Sequence, residues 1–93
     1  MIIDIEEARD TLRLDGDDND IIILPMIDAI PDYLETTTGS SWVDEPNNEL
    51  AKTAAKFILQ LWFDPQQEDT ARLKRTIDSL LYVLTIMARE QDG

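Results

Sequence analysis

Residues 69–90 read DTARLKRTIDSLLYVLTIMARE, and the spacing of their apolar side chains decides the class of fold. Large apolar residues recur three or four positions apart, which places them on one face of an α-helix. This face consists of Leu73, Ile77, Leu80, Leu81, Leu84 and Met87. The stretch therefore predicts a long amphipathic helix that packs one side against a core.

Residues 48–63, which precede this helix, show the same period with a broader apolar face. That face consists of Leu50, Ala54, Phe57, Ile58, Leu61 and Trp62. Asn47 or Asn48 is expected to cap the first turn, because an amide oxygen can accept a free backbone N–H there. Pro65 is expected to end the helix, because the residue before a proline avoids helical geometry. Residues 48–63 therefore predict a second long helix.

Residues 20–37 carry a helical apolar stripe that is interrupted by two prolines. The stripe consists of Ile23, Ile27, Ile30 and Leu34. A proline inside a helix removes a hydrogen bond and clashes with the carbonyl four residues earlier, at a cost of about 3 kcal/mol. Pro25 would be tolerated if the helix begins near residue 22 or later. Pro31 predicts a kink or a break near residues 28–31.

The polar run at residues 36–48 predicts a loop after this helix. Gly39 is expected to end the helix, because glycine adopts a positive φ without steric cost. Trp42 is a large aromatic side chain within this polar loop. It either folds back onto the core or anchors a partner protein, and the sequence leaves both alternatives open.

A short helix is predicted over residues 4–13. Asp4 can cap it, and Glu7 follows at the spacing of a capping box. Ile5, Ala8 and Leu12 share one face of this helix. Gly16 is expected to mark its end.

These patterns together predict an all-α fold. We expect a small bundle of about four helices, with a short first helix, a kinked second helix and long third and fourth helices. The 93 residues, 43% of them hydrophobic, correspond to a single domain over residues 1–93. A chain of this length buries only roughly 60–65% of its unfolded surface, so further stabilisation by neighbouring copies is plausible.

The composition excludes several classes of functional site. The chain has no cysteine and no histidine, so it has neither a thiolate site nor the usual general base. The carboxylate pairs Glu6–Glu7 and Asp44–Glu45 lie beside turns, where little would shift their pKa values. We therefore predict no catalytic residue, no cofactor and no metal site. Without a long apolar run or a secretory signal pattern, cytosolic synthesis is expected.

The net charge of −12 is concentrated in the first half of the chain. Residues 1–49 hold fourteen acidic residues and two arginines, whereas residues 50–93 hold six acidic and six basic residues. Binding to phosphate backbones requires clustered lysine and arginine, so this charge disfavours nucleic-acid binding. The acidic half and the basic stretch ARLKR, residues 71–75, would instead suit steering between protein surfaces. Plain solubility charge is the alternative.

The acidic run DGDDND at residues 15–20 invites comparison with a calcium-binding EF-hand loop. Asp15, Asp17 and Asn19 match its positions one, three and five. However, Asp20 stands where the loop needs glycine, and Met26 stands where it needs a bidentate glutamate. The run therefore does not predict an EF-hand.

The same run can begin the second helix. Asp17, Asp18, Asn19 or Asp20 could accept free N–H groups there, and carboxylates favour the positive end of the helix dipole. The run holds more acidic residues than capping requires, so the surplus is either solvated or used by a partner. The predicted partner surface consists of Asp15, Asp17, Asp18, Asp20, Trp42, Arg72, Lys74 and Arg75.

The order of these segments resembles the small head–tail connector proteins of tailed phages, also called head-completion or adaptor proteins. The resemblance extends over nearly the whole chain, and its motifs lie in four stretches: LRLDGDDND, YLETTTGSSW, ELAKTAAKFILQLWFDPQ and IDSLLYVLTIMARE. These motifs are short and carry no catalytic fingerprint. The departure from the family pattern is the pair Pro25 and Pro31, since relatives usually show an unbroken helix there.

The resemblance implies a non-enzymatic structural protein of the virion. Such connectors are all-α proteins that assemble as a dodecameric ring beneath the portal and extend the DNA channel toward the next tail-completion protein. The acidic turn at 15–20, the loop at 37–48 and the C-terminal segment would then be candidates for contacts with ring neighbours or the portal. DNA would pass through the channel without specific binding.

Two other functions fit the same composition. A small acidic helical protein could be an adaptor outside the virion, or a DNA mimic whose carboxylates imitate phosphates and block a DNA-binding protein. A mimic should spread its acidic residues in a line over one surface. The charge-neutral second half of the chain weakens that alternative.

Overall fold

A computed structural model describes residues 2–45, 48–66 and 68–92 and confirms the all-α prediction. The helices are α1 (Ile5–Leu12), α2 (Asp20–Thr38), α3 (Glu49–Phe63) and α4 (Thr70–Asp92). Among the described residues there is no strand. None of these helices is long and apolar enough to span a membrane. The bundle is elongated, with principal extents of 43 × 27 × 19 Å.

The core lies where α2, α3 and α4 pack together. The contact between α3 and α4 is the most extensive, and α2 packs against both of these helices. Helix α1 packs against α2 and α3, and within the described residues it does not contact α4. The buried apolar side chains are Ile2, Ile3, Ala8, Ile23, Ile27, Ile30, Leu34, Trp42, Ala51, Ala54, Ala55, Ile58, Leu59, Ile77, Leu84 and Ala88.

Helix α1 begins as predicted but ends three residues earlier than Gly16. The Glu7 N–H donates to the Asp4 carboxylate at 2.8 Å, and the Asp4 N–H donates to the Glu7 carboxylate at 3.2 Å. Arg13 ends the helix with a φ of 59°, so the prediction for Gly16 is wrong. The Leu14 N–H donates to the Arg9 carbonyl at 2.9 Å, which is the backbone bond of a Schellman motif. Leu14 packs against the core, and this contact offsets the left-handed backbone of Arg13.

Helix α2 continues through both prolines, so the predicted break near residues 28–31 is wrong. The buried stripe that begins at Ile23 runs without interruption to Thr38. A break would turn part of this stripe away from the core, where each buried aliphatic side chain contributes about 1.5–3 kcal/mol. Pro25 lies on the exposed side and Pro31 is half-buried. The kink stays a prediction.

The ends of α3 and the inner face of α4 confirm their predictions. The Asn48 side chain accepts a hydrogen bond from the Ala51 N–H at 3.0 Å, while Asn47 lies outside the described residues. Helix α3 ends at Phe63, two residues before Pro65. Of the predicted α4 stripe, Ile77 and Leu84 are buried. The half-buried members are Leu73, Leu80, Leu81 and Met87.

Candidate interaction surface

The acidic turn between α1 and α2 exposes most of its carboxylates. Asp15, Asp17 and Asp18 are all exposed. Asn19 is the N-cap of α2, but its side chain makes no capping hydrogen bond. Its backbone carbonyl instead accepts hydrogen bonds from the Ile22 and Ile23 N–H groups, each at 3.0 Å. The prediction of a side-chain cap is therefore wrong, and the three exposed aspartates remain available to solvent or a partner.

Asp20 differs from the other acidic residues of the turn because it pairs with Arg9 of α1. The Arg9 Nε donates to one Asp20 carboxylate oxygen at 3.0 Å, and Nη2 donates to the other. This hydrogen bonding lowers the pKa of Asp20 and raises the pKa of Arg9. Asp20 therefore joins α1 to α2 within the chain, and its side chain is 22% exposed.

A second ion pair joins α1 to α3. The Lys52 Nζ lies 2.9 Å from a Glu7 carboxylate oxygen. The hydrogen bond from Lys52 lowers the pKa of Glu7, and the same bond raises the pKa of Lys52. Arg9 and Lys52 therefore each pair with a carboxylate of another helix of the bundle.

Trp42 folds back onto the core, which resolves the alternative that the sequence left open. Its side chain is only 2% exposed, and its Nε1–H donates to the Thr38 hydroxyl at 3.1 Å. The Thr38 hydroxyl in turn donates to the Leu34 carbonyl at 2.7 Å. Gly39 ends α2 with a φ of 100°, as predicted, and Trp42 follows with a φ of 64°. Trp42 therefore fixes the end of α2 and is not accessible as a partner anchor.

The side of α2 that points away from the core is both apolar and acidic. We call it the α2 outer face, and it consists of Ile21, Leu24, Pro25, Asp28, Asp32 and Glu35. These positions lie opposite the buried stripe at 100° per residue. Ile21 is 82% exposed, and α2 contains no lysine or arginine. Leu24 is 40% exposed, and Pro25 beside it is also exposed.

The side of α4 that points away from the core combines apolar and basic residues. We call it the α4 outer face, and it consists of Arg72, Arg75, Asp78, Ser79, Tyr82, Val83, Ile86 and Arg89. Tyr82 is 70% exposed, and Val83 and Ile86 are about 40% exposed. Lys74 is also exposed but projects to another side of the helix. The structure therefore brings Arg72 and Arg75 together and separates Lys74 from them.

Sequence reasoning missed the exposed apolar residues of both outer faces. The sequence patterns identified the inner stripes, where a regular period predicts burial. Ile21, Tyr82 and Ile86 fall outside those stripes by half a helical turn. That displacement is the signal that could have identified them.

A solvent-open cleft lies where the ends of α1 and α3 meet the start of α4. Its volume is about 480 Å³, and the lining residues are Thr11, Leu12, Arg13, Gln60, Phe63, Asp64 and Asp69. A smaller groove of about 240 Å³ between α3 and α4 shares Gln60 and Asp69 with it and extends to Arg72. Ligand pockets are usually lined mainly by apolar side chains, whereas this cleft has a mixed polar lining.

Within the described ranges, no three carboxylate, histidine or cysteine side chains lie close enough to hold a metal ion. No family model, no curated protein and no solved structure matches this chain.

Proposed function

We propose that this chain is a structural virion protein at the head–tail junction of a tailed phage or prophage. It is made in the cytoplasm of the host bacterium and becomes part of the virion during assembly. In this role it is a connector, or head-completion adaptor, that joins the portal to the tail. It catalyses no reaction and uses no cofactor.

The observation that carries this proposal is the pair of exposed helix faces on one small bundle. Closed rings of identical subunits need heterologous contacts, in which one face of a subunit meets a different face of the next. The α2 outer face offers apolar side chains with carboxylates, and the α4 outer face offers apolar side chains with arginines. The order of the four helices is also the order implied by the resemblance to connectors.

The distribution of charge fits a ring through which DNA passes. The α2 outer face and the acidic turn expose carboxylates without a base among them. Carboxylates repel the phosphate backbone, so a channel that they border would hold DNA only weakly. The remaining exposed surfaces would contact the portal on one side and a further tail-completion protein on the other.

The proposal is tested by purifying a tagged copy from a lysate in which the phage is assembling, with retained proteins identified by mass spectrometry. Recovery of portal or tail-completion protein is the expected result. A matched variant carries Asp15→Asn, Asp17→Asn and Asp18→Asn. If it keeps its helicity but loses the portal, the acidic turn is part of that contact. Recovery of only host proteins in both samples would contradict the connector role.

The acidic row on α2 also supports a second candidate, a DNA-mimic inhibitor. Asp28, Asp32 and Glu35 are exposed at successive turns of one helix, which gives a line of negative charge. The same purification would then retain a nuclease or a repressor and no virion protein. The strong exposure of Ile21 and Tyr82 favours the connector, because a phosphate mimic has no need for exposed apolar side chains.

A further inference from the structure

Asp15 and Gly16 form an Asp–Gly pair in the turn that joins α1 to α2. Both residues are exposed and lie outside the two helices. Because glycine has no side chain, its backbone nitrogen is the one that a preceding aspartate side chain reaches with the least steric hindrance. Every other aspartate before Asp92 is followed by a residue with a side chain. Gly93, which follows Asp92, lies outside the described residues.

The two groups that could react in this pair are free of hydrogen bonds. In the part of the chain that the structure describes, the Gly16 N–H donates no hydrogen bond and the Asp15 carboxylate accepts none. A Cβ atom placed on Gly16 would have no neighbouring atom within 4 Å, so the space around the pair is open. Asp78 within α4 differs, because the N–H groups inside a helix donate to carbonyls one turn earlier.

The backbone is anchored on both sides of the pair. The Leu14 N–H donates to the Arg9 carbonyl at 2.9 Å, and the Asp17 carbonyl accepts a hydrogen bond from the first residue of α2 at 3.1 Å. Since Asp15 and Gly16 lie between these two anchors, their dihedral angles can change while both helices keep their positions. The turn can therefore bring the Asp15 carboxyl carbon to the Gly16 nitrogen.

We propose that Asp15 converts spontaneously to isoaspartate through a succinimide that it forms with the backbone nitrogen of Gly16. The nitrogen attacks the side-chain carboxyl carbon, a new C–N bond forms, and the carboxyl OH leaves with the amide proton as water. Water then adds to the main-chain carbonyl carbon of the ring, and the bond from that carbon to the nitrogen breaks. One water is released and one is consumed, so the conversion needs no other reactant.

The conversion changes the connection between α1 and α2. The main chain then passes through the Asp15 side chain and is longer by one carbon atom, and the former main-chain carbonyl becomes the free carboxylate. The charge of the turn is unchanged. The added atom lies between two helices that the ion pair of Arg9 with Asp20 holds together. The modified chain therefore keeps its helices but holds α1 less firmly.

The conversion is tested by storing the purified chain for several weeks at neutral pH and physiological temperature. Protein-isoaspartate methyltransferase with labelled S-adenosylmethionine measures the isoaspartate formed, and electron-transfer fragmentation of tryptic peptides locates it. Trypsin places Asp15, Asp78 and Asp92 in separate peptides, so each is measured independently. We expect isoaspartate to accumulate at Asp15 at least tenfold faster than at Asp78.

Three variants of the pair are the controls. Gly16→Ala places a methyl group beside the attacking nitrogen and should slow the conversion several-fold, and its Cβ has open space, so the fold should be unchanged. Asp15→Glu keeps the charge but would need a larger ring, so it should form no isoaspartate. Asp15→Asn forms the same succinimide by loss of ammonia and should convert faster than wild type.

The inference is overturned if the stored wild-type chain gains no isoaspartate at Asp15, or if Gly16→Ala gains it as fast as wild type. Conversion at Asp78 as fast as at Asp15 would also overturn it, because the folded turn would then give no advantage.

The effect on α1 is measured on the modified chain after its separation from the unmodified chain by chromatography. Hydrogen exchange of the α1 amides should be at least threefold faster in the modified chain, with the α4 amides unchanged. Equal exchange of α1 in the two forms would overturn the predicted loosening. The inference does not rest on the proposed function, which is tested by the proteins retained from a lysate.

Discussion

Helices α1 and α4 both pack against α2 and α3, but they are held there by different forces. Helix α1 has eight residues and buries only Ala8, with Ile2 and Ile3 buried just before it. A capping box fixes its first turn, and ion pairs join it to α2 and α3 in addition to these apolar contacts. Helix α4 has 23 residues and is held by a long apolar stripe.

The length of a helix decides which interactions it needs to be stable. A helix of two turns is unstable alone, and its narrow apolar face cannot fix its orientation. Ion pairs to α2 and α3 add to its apolar contacts. A helix of six turns has enough buried area to be stabilised mainly by the hydrophobic effect. We therefore expect α1 to open locally at a lower free energy than α4.

The largest expected decrease in the free energy of unfolding comes from a substitution in the apolar stripe of α4. Leu84→Ala removes a fully buried side chain and should lower the free energy of unfolding by about 2–5 kcal/mol. The neighbouring Val83 is 40% exposed, so Val83→Ala should change it by about 0.5 kcal/mol or less. Urea denaturation followed by circular dichroism measures both. Equal losses in the two variants would mean that α4 is not held mainly by its inner face.

Removal of the N-cap of α1 is expected to lower the free energy of unfolding by a smaller amount. Asp4→Ala removes the acceptor of the Glu7 N–H and should destabilise the protein by about 1 kcal/mol. Asp10→Ala, at an exposed position of the same helix, is the control and should have little effect. Hydrogen exchange should show faster exchange of α1 amides in Asp4→Ala, with α4 amides unaffected. If exchange rose equally in both helices, α1 would not open separately from the bundle.

The sequence could predict the fold where an apolar pattern repeats over many residues. The stripe of α4 repeats over many turns, so its period alone identified the helix and its buried face. The end of α1 depends on a single local competition between Gly16, which can adopt a positive φ, and Leu14, which packs against the core. The core contact decided it, and Arg13 took the left-handed conformation. The position of Trp42 likewise depends on packing that no local pattern encodes.

The candidate surface was predicted only in part, because ion pairing and exposure depend on contacts between helices. Composition and local charge identified the exposed aspartates of the turn and the arginines of α4. They could not show that Asp20 is paired, because its partner Arg9 lies eleven residues away on another helix. They also did not identify Ile21 and Tyr82, because exposure depends on which side of each helix the neighbouring helices cover.

Removal of the ion pair between α1 and α3 should change Tm by a still smaller amount, and the change should depend on salt. Lys52→Met keeps most of the side-chain stem but removes the charge that contacts Glu7. We expect a small decrease in Tm at low salt that disappears in 1 M NaCl, because salt screens the lost attraction. Lys56→Met, one turn later on α3, is the matched control. A decrease that persists at high salt would mean that Lys52 contributes through packing and not through charge.

The pairing of Asp20 with Arg9 predicts an effect on stability that depends on pH, and its sign follows from the pKa. The pKa of Asp20 is lower in the folded chain, because Arg9 donates to the ionised carboxylate. The pair therefore stabilises the fold above the unfolded pKa of about 4 and ceases to do so as the pH falls through the folded value.

The difference in Tm between wild type and Asp20→Asn should be constant from pH 7 to about 5 and should vanish in acid. Relief of repulsion among the many carboxylates affects both proteins alike, so the difference isolates this one group. Asp18→Asn, in the same turn but exposed, is the control. If the Asp20→Asn difference did not change with pH, α1 would be held by packing alone, and the contrast with α4 would reduce to helix length.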